Sequence, residues 1–266
     1  IATAGNSAIP LGKALGKQIA ASVAQAERYV HLGATSQDVM DSGLVLQLRR
    51  ALELIDSDLA QLGDTLATQA QRHVATPLAG RTWLQHATPV TLGMKIAGWL
   101  GAVTRSRQRL QELKPRLLVL QFGGASGTLA ALGEQAMPIA QALAEELQLS
   151  LPDQPWHTQR DRLVEFGSVL RLIAGSLGKL GRDISLLMQT EAGEVFEPSA
   201  PGKGGSSTMP HKRNPVGAGV LIGAADSRFL GASAGRSALA FVPLALTTIA
   251  VPALGIVGVW AAVNVW

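Results

Sequence analysis

The sequence predicts an all-α protein, an elongated bundle of long helices. Two observations carry that prediction. Apolar residues recur at steps of three and four over stretches of roughly thirty residues, and alternating β-pattern is hard to find. Helices of that length exceed the usual globular size, so they pack at shallow angles against several neighbours. Such stripes are often covered by other subunits, which favours a homo-oligomer.

The first long pattern runs through Leu44, Leu48, Leu52, Ile55, Leu59, Leu62 and Leu66. It forms one face of a helix of about six turns, with Asp38 and Asp41 as acidic residues at its start. The second extends from about Thr88 to Leu120, with a bend expected near Pro115. The third extends from about Arg160 to Thr190 and carries Leu163, Phe166, Leu170, Ile173, Leu177, Leu180 and Ile184 on its apolar side. The connecting segments are rich in Gly, Ser and Pro. The longest runs from Glu194 to Pro215, and a loop of that length inside a compact domain is usually functional or disordered.

The chain has 266 residues, 47% of them apolar, and no cysteine. A sizeable core is therefore available, while disulfides, thiolate zinc sites and a cysteine nucleophile are excluded. The formal charge is +4, with basic residues scattered between apolar positions. No dense Lys/Arg stripe interleaved with aromatics points to nucleic acid. Residue 1 is Ile and no signal-peptide pattern follows, so upstream sequence is expected to be missing.

Three short segments concentrate polar chemistry. His31–Asp38 reads HLGATSQD, just before a helix. Its hydroxyls and backbone N–H groups suit a carboxylate, or Thr35, Ser36 or Asp38 serves simply as N-cap. Gly80–Gly93 reads GRTWLQHATPVTLG and sets Arg81, Thr82, Gln85 and His86 near a helix start at about Pro89. A lone histidine there is structural or catalytic. Gly205–Pro215 reads GSSTMPHKRNP. A serine on such a loop near a lysine can act as a base if backbone N–H groups and the lysine charge stabilise its alkoxide; alternatively the segment is a flexible basic linker. Phe122–Gly127, FGGASG, does not fit dinucleotide-binding spacing and reads as a turn.

In order and approximate spacing, these segments resemble the three signature regions of the fumarase/aspartase superfamily. GSSTMPHKRNP matches G-S-S-x-x-M-P-x-K-x-N with one spacer residue fewer, as in many members. The resemblance spans residues 1 to about 225 and implies the superfamily's helical fold. It also implies a homotetramer in which three regions from three subunits meet at one site. The implied chemistry is proton abstraction next to a carboxylate followed by departure of a group from the β-carbon. Ser206 is the implied general base. His31, Thr35, Ser36, Arg81, Thr82, Trp83, Gln85, Lys212 and Asn214 are the implied substrate contacts, and His86 is a second candidate for the chemistry. Arg160–Arg162 matches a further substrate-proximal stretch.

One departure selects a branch. Where adenylosuccinate and argininosuccinate lyases carry the histidine that donates a proton, this chain has Trp83, and an indole cannot deliver one at neutral pH. A carboxylate leaves without protonation. The wording GNSAIPL, HLGATSQDVMDSG, GRTWLQHATPVTLG and QPWHTQRDRLVEF also resembles the carboxymuconate cycloisomerases. That branch implies interconversion of a tricarboxylate, 3-carboxy-cis,cis-muconate, and its γ-lactone in protocatechuate catabolism. It implies a cytoplasmic location, no metal, no organic cofactor, no nucleic acid and no membrane. The alternatives are an adenylosuccinate lyase-like C–N lyase and a non-catalytic structural relative.

The organisation expected is a remnant of an N-terminal domain at 1–36, a central bundle at 37–225, and an atypical apolar tail at 226–266. Residues 237–266 contain no charge and are interrupted by Pro243 and Pro252. A shifted frame or truncated gene is the expected origin, ahead of a deeply buried helix and of a membrane anchor. Thirty apolar residues must be hidden or they drive aggregation. The chain alone is therefore expected to be poorly soluble or inactive.

Overall fold

The computed structural model describes residues 5–198 and 201–225; the apolar tail lies outside the described residues. Among the described residues the helices are α1 (Ala8–Ser22), α2 (Ser36–Arg72), α3 (Leu92–Leu117), α4 (Ala136–Leu147), α5 (Asp161–Leu187) and α6 (Val216–Ala225). One antiparallel hairpin, β1 (Pro77–Thr82) and β2 (Gln85–Thr91), is the only sheet there. The fold is all-α, as the periodicity predicts. No helix among the described residues is long and apolar enough to cross a membrane.

Two compact units share these elements: 5–51 with 114–164, and 52–113 with 165–225. Helices α2, α3 and α5 each contribute residues to both.

In the first unit, Val45 of α2 packs with Val119, Leu120, Phe122, Ala144 and Trp156. Helix α3 does not bend at Pro115 and continue, as expected from the sequence, but ends at Leu117. Pro115 lies inside the last turn and withholds an N–H from the Gln111 carbonyl, while Leu118 N–H still donates to the Lys114 carbonyl at 2.9 Å. The chain then runs extended, and Leu120 N–H donates to the Ser150 carbonyl at 2.8 Å.

In the second unit, Leu52, Leu59 and Leu66 of α2 are buried at seven-residue intervals. Ile96, Trp99, Val103, Leu110 and Leu113 of α3 are buried too, as are Phe166, Val169 and Ile173 of α5. Truncating a fully enclosed leucine such as Leu110 to Ala costs about 2–5 kcal/mol. Helix α6 lies against α5 over two glycines. A Cβ at Gly181 would stand 2.7 Å from the Ala218 carbonyl oxygen, and one at Gly178 would stand 2.1 Å from Ala225 Cβ.

Two boundaries differ from the sequence reading. Helix α2 begins at Ser36, two turns before the leucine stripe becomes regular. Helix α3 begins at Leu92 and not near Pro89, because residues 85–91 pair with 77–82. The pairing was hidden because the turn carries none of the usual signals. Trp83 and Leu84 occupy a two-residue turn with φ of +51° and +62°, a conformation that normally selects Asn-Gly. The hairpin base is closed by Leu92 N–H to the Thr76 carbonyl and Gly93 N–H to the His73 carbonyl, both 2.9 Å. Gly93 is required there, since a Cβ would lie 2.5 Å from the Ala70 carbonyl oxygen.

Candidate active site

The first region sits in the first unit. Thr35 is the residue before α2, and its N–H donates to Asp38 Oδ2 at 2.9 Å, the backward half of a capping box. Asp38 is 3% exposed and accepts three further hydrogen bonds. They come from Gln121 Nε2 (2.9 Å), Gly123 N–H (3.1 Å) and Gly124 N–H (2.8 Å). The FGGASG turn is thus strapped to the start of α2 by one carboxylate, and the half-buried Thr35 and Ser36 are held in place with it. Next to it, Arg160 donates to both oxygens of Asp41 at 2.6 and 2.9 Å and stacks over the Trp156 ring. The Asp41 carboxylate raises the pKa of the Arg160 guanidinium, chiefly through that hydrogen bonding. His31 has φ +67° and lines a separate 540 Å³ hollow with Lys13 and Lys17 of α1.

The second region is the hairpin. Arg81 pairs with His86 across the strands, and Thr82 with Gln85. Arg81, Thr82, Trp83 and His86 line a 940 Å³ cavity with Lys95, Lys179 and Asp183. Trp83 is 93% exposed at the tip. Arg81 grips Glu194 with both terminal nitrogens, at 2.6 and 3.0 Å. Those hydrogen bonds hold the Glu194 carboxyl below its ordinary pKa, with a smaller contribution from the charge of His86. On the floor, Asp183 accepts from Trp99 Nε1 at 2.6 Å and pairs with Lys179 and Lys95.

The third region joins α5 to α6. Ser206, Lys212 and Asn214 line one 510 Å³ cavity together with Lys203, Arg213 and Glu197. Ser206 is half-buried, and its Oγ accepts from Met209 N–H at 3.1 Å. Asn214 N–H donates to the Gly204 carbonyl at 2.7 Å, which closes the Ser206 segment into a ring. A hydroxyl that already accepts a backbone N–H, among three cationic side chains, is placed to carry negative charge.

The structure therefore brings Ser206, Lys212 and Asn214 together, and separately Arg81, Thr82, Trp83 and His86. His31, Thr35 and Ser36 stand in the other unit. Glu194, Glu197 and the Asp38 strap escaped the sequence reading, since nothing local marks their partners. No group of three or more His, Asp or Glu side chains among the described residues could hold a metal ion.

Fold and signature loop are those of a family of α-helical lyases: the family model described as Lyase matches residues 1–228, and the chain belongs to that family, within the fumarase/aspartase superfamily. It is 80% identical over 225 residues to 3-carboxy-cis,cis-muconate cycloisomerase of Pseudomonas aeruginosa, covering 85% of this chain and 49% of that protein. The Pseudomonas putida protein of the same name is 78% identical over 225 residues, with 85% and 53% covered. The crystal structure of 3-carboxy-cis,cis-muconate lactonizing enzyme from Pseudomonas putida superposes with a TM-score of 0.79 at 78% identity, over 85% of this chain and 50% of that one. The chain spans about half the length of the curated relatives it matches.

Proposed function

We propose that the protein interconverts 3-carboxy-cis,cis-muconate and its γ-carboxymuconolactone. In the lactonising direction a substrate carboxylate oxygen adds to a double bond. One C–O bond forms, the π pair moves to the adjacent carbon, and that carbon takes a proton. Ser206 supplies the proton and recovers it from solvent; in the reverse direction it is the base. Its transient alkoxide is met by Met209 N–H and by the charges of Lys203 and Lys212. Lys212 and Asn214 hold one substrate carboxylate, Thr35 and Ser36 another, and the hairpin residues Arg81, Thr82, Gln85 and His86 the third end of the tricarboxylate. Trp83 stands where a proton-donating histidine would serve an amine leaving group; a carboxylate leaving group needs none. The hairpin and the Ser206 loop line different cavities of one chain, which supports a homotetramer whose subunits share each site.

The observation that carries this reading is Ser206 Oγ on Met209 N–H inside a cavity lined by three cations. The test uses the chain and also a hybrid in which residues 1–225 replace the matching stretch of the Pseudomonas putida relative. The hybrid should consume 3-carboxymuconate and leave adenylosuccinate untouched. Ser206→Ala should lower turnover on the order of a hundredfold or more, and Trp83→Phe should keep much of it. An assembled hybrid that ignores 3-carboxymuconate, or a Ser206→Ala variant with near-normal turnover, would overturn the assignment.

A further inference from the structure

Among the groups lining the Ser206 cavity, Glu197 is the one acidic side chain. In a cavity read as a carboxylate site its charge repels the ligand, so its presence asks for a reason. Two backbone donors supply one. Glu197 Oε1 accepts Ala218 N–H at 2.7 Å and Oε2 accepts Gly217 N–H at 3.0 Å. These are the second and third residues of α6, whose first N–H groups have no partner within the helix. The remaining two are met locally, Val216 N–H by the Asn214 carbonyl and Gly219 N–H by the Pro215 carbonyl. The helix N-terminus favours a negative charge, so the carboxylate is both bonded and electrostatically matched there.

Gly217 adds an independent observation. A Cβ at that position would meet both Glu197 oxygens at 3.2 and 3.3 Å, so a side chain there would push the carboxylate back from its seat by a few tenths of an ångström. Glycine is a poor helix former, and the three atoms nearest that Cβ all belong to the Glu197 carboxylate.

We infer that Glu197 is a positioning residue: seated on the N-terminus of α6 over Gly217, it fixes the two ends of the Ser206 segment against each other. The segment leaves Glu197 and returns at Gly217, so this clamp joins its ends, while Asn214 N–H to the Gly204 carbonyl closes the inner ring. Ser206 and Lys212 are held in register by the pair. The inference rests on the proposed function only for its effect on turnover.

Trypsin reads the clamp directly, because Lys203, Lys212 and Arg213 lie inside the clamped segment while Arg72 lies at the end of α2. Glu197→Ala should speed cutting after Lys203 and leave Arg72 unchanged, and Glu197→Gln, which keeps one acceptor oxygen, should fall between. Gly217→Ala should also speed cutting after Lys203, although alanine is the better helix former. In the hybrid, Glu197→Ala should lower kcat on the order of tenfold or more while the hybrid stays folded and assembled. Tricarballylate, an unreactive tricarboxylate, should protect Lys203 in the parent hybrid and protect it less in Glu197→Ala. Unchanged cutting after Lys203 in both Glu197→Ala and Gly217→Ala overturns the inference, as does equal acceleration at Arg72. Faster cutting in a hybrid whose parent lacks lactonising turnover supports the clamp and removes the proposed function.

Discussion

At the scale of single residues, carboxylates do most of the fixing. Asp38 accepts from Thr35 and Gly124 N–H at Oδ2 and from Gln121 Nε2 and Gly123 N–H at Oδ1. In Asp38→Asn one of the two oxygens becomes an NH₂ facing donors, whichever way the amide turns. That leaves buried donors unpaired and should cost about 3 kcal/mol, read as a lower urea midpoint. Glu194 makes a pH-dependent counterpart. Its folded pKa lies below the ordinary 4.5 because Arg81 donates two hydrogen bonds to it. The stability it contributes is fully present above pH 4.5 and fades as the pH falls through the folded value. Melting temperatures of the parent and Glu194→Gln should differ by a constant amount from pH 7 down to about that point and then converge. A difference that persists undiminished to pH 3 would assign the effect elsewhere. Ser206, Lys212 and Asn214 were legible in the sequence because they share one contiguous motif. The Arg81 pairing of Glu194 and the long-range strap of Asp38 were not, because the partners are 113 and as many as 86 positions away, and no periodicity records such a pairing.

At the scale of elements, the long helices followed from their stripes, whereas the hairpin did not. Its strands are mostly exposed, so no alternation is imposed on them, and its turn holds two non-glycine residues in the left-handed region. Trp83 and Leu84 are 93% and 74% exposed, so they gain no burial within this chain to offset the strain. Strain kept at an exposed tip is a mark of function. Replacing Trp83 and Leu84 with Asn and Gly should therefore stabilise the protein by about 1–2 kcal/mol and lower turnover of 3-carboxymuconate. Thermal unfolding and the absorbance assay would check both. A double variant that is neither more stable nor less active would mean the turn is unstrained and its side chains idle.

At the scale of the whole molecule, membership of the lyase family accounts for the long helices and the signature loop together. Apolar side chains such as Leu54, Met94 and Leu172 remain exposed in the single chain, as the proposed homotetramer requires of surfaces it would cover. Light scattering on the hybrid should report a tetramer; a monomer at micromolar concentration would remove the shared-site reading. The closed base of the hairpin has a further consequence. Leu92 and Gly93 tie back to Thr76 and His73 through main-chain atoms alone, so the fifteen or so residues between them enter and leave the bundle at one fixed doorway. The tip beyond that doorway can change without renegotiating the helices, while buried Leu78 and the Arg81–Glu194 pair anchor the strands, because closing a loop depends only weakly on its length. The tip is in that sense an exchangeable cassette: a change at Trp83 and Leu84 is confined to two exposed residues.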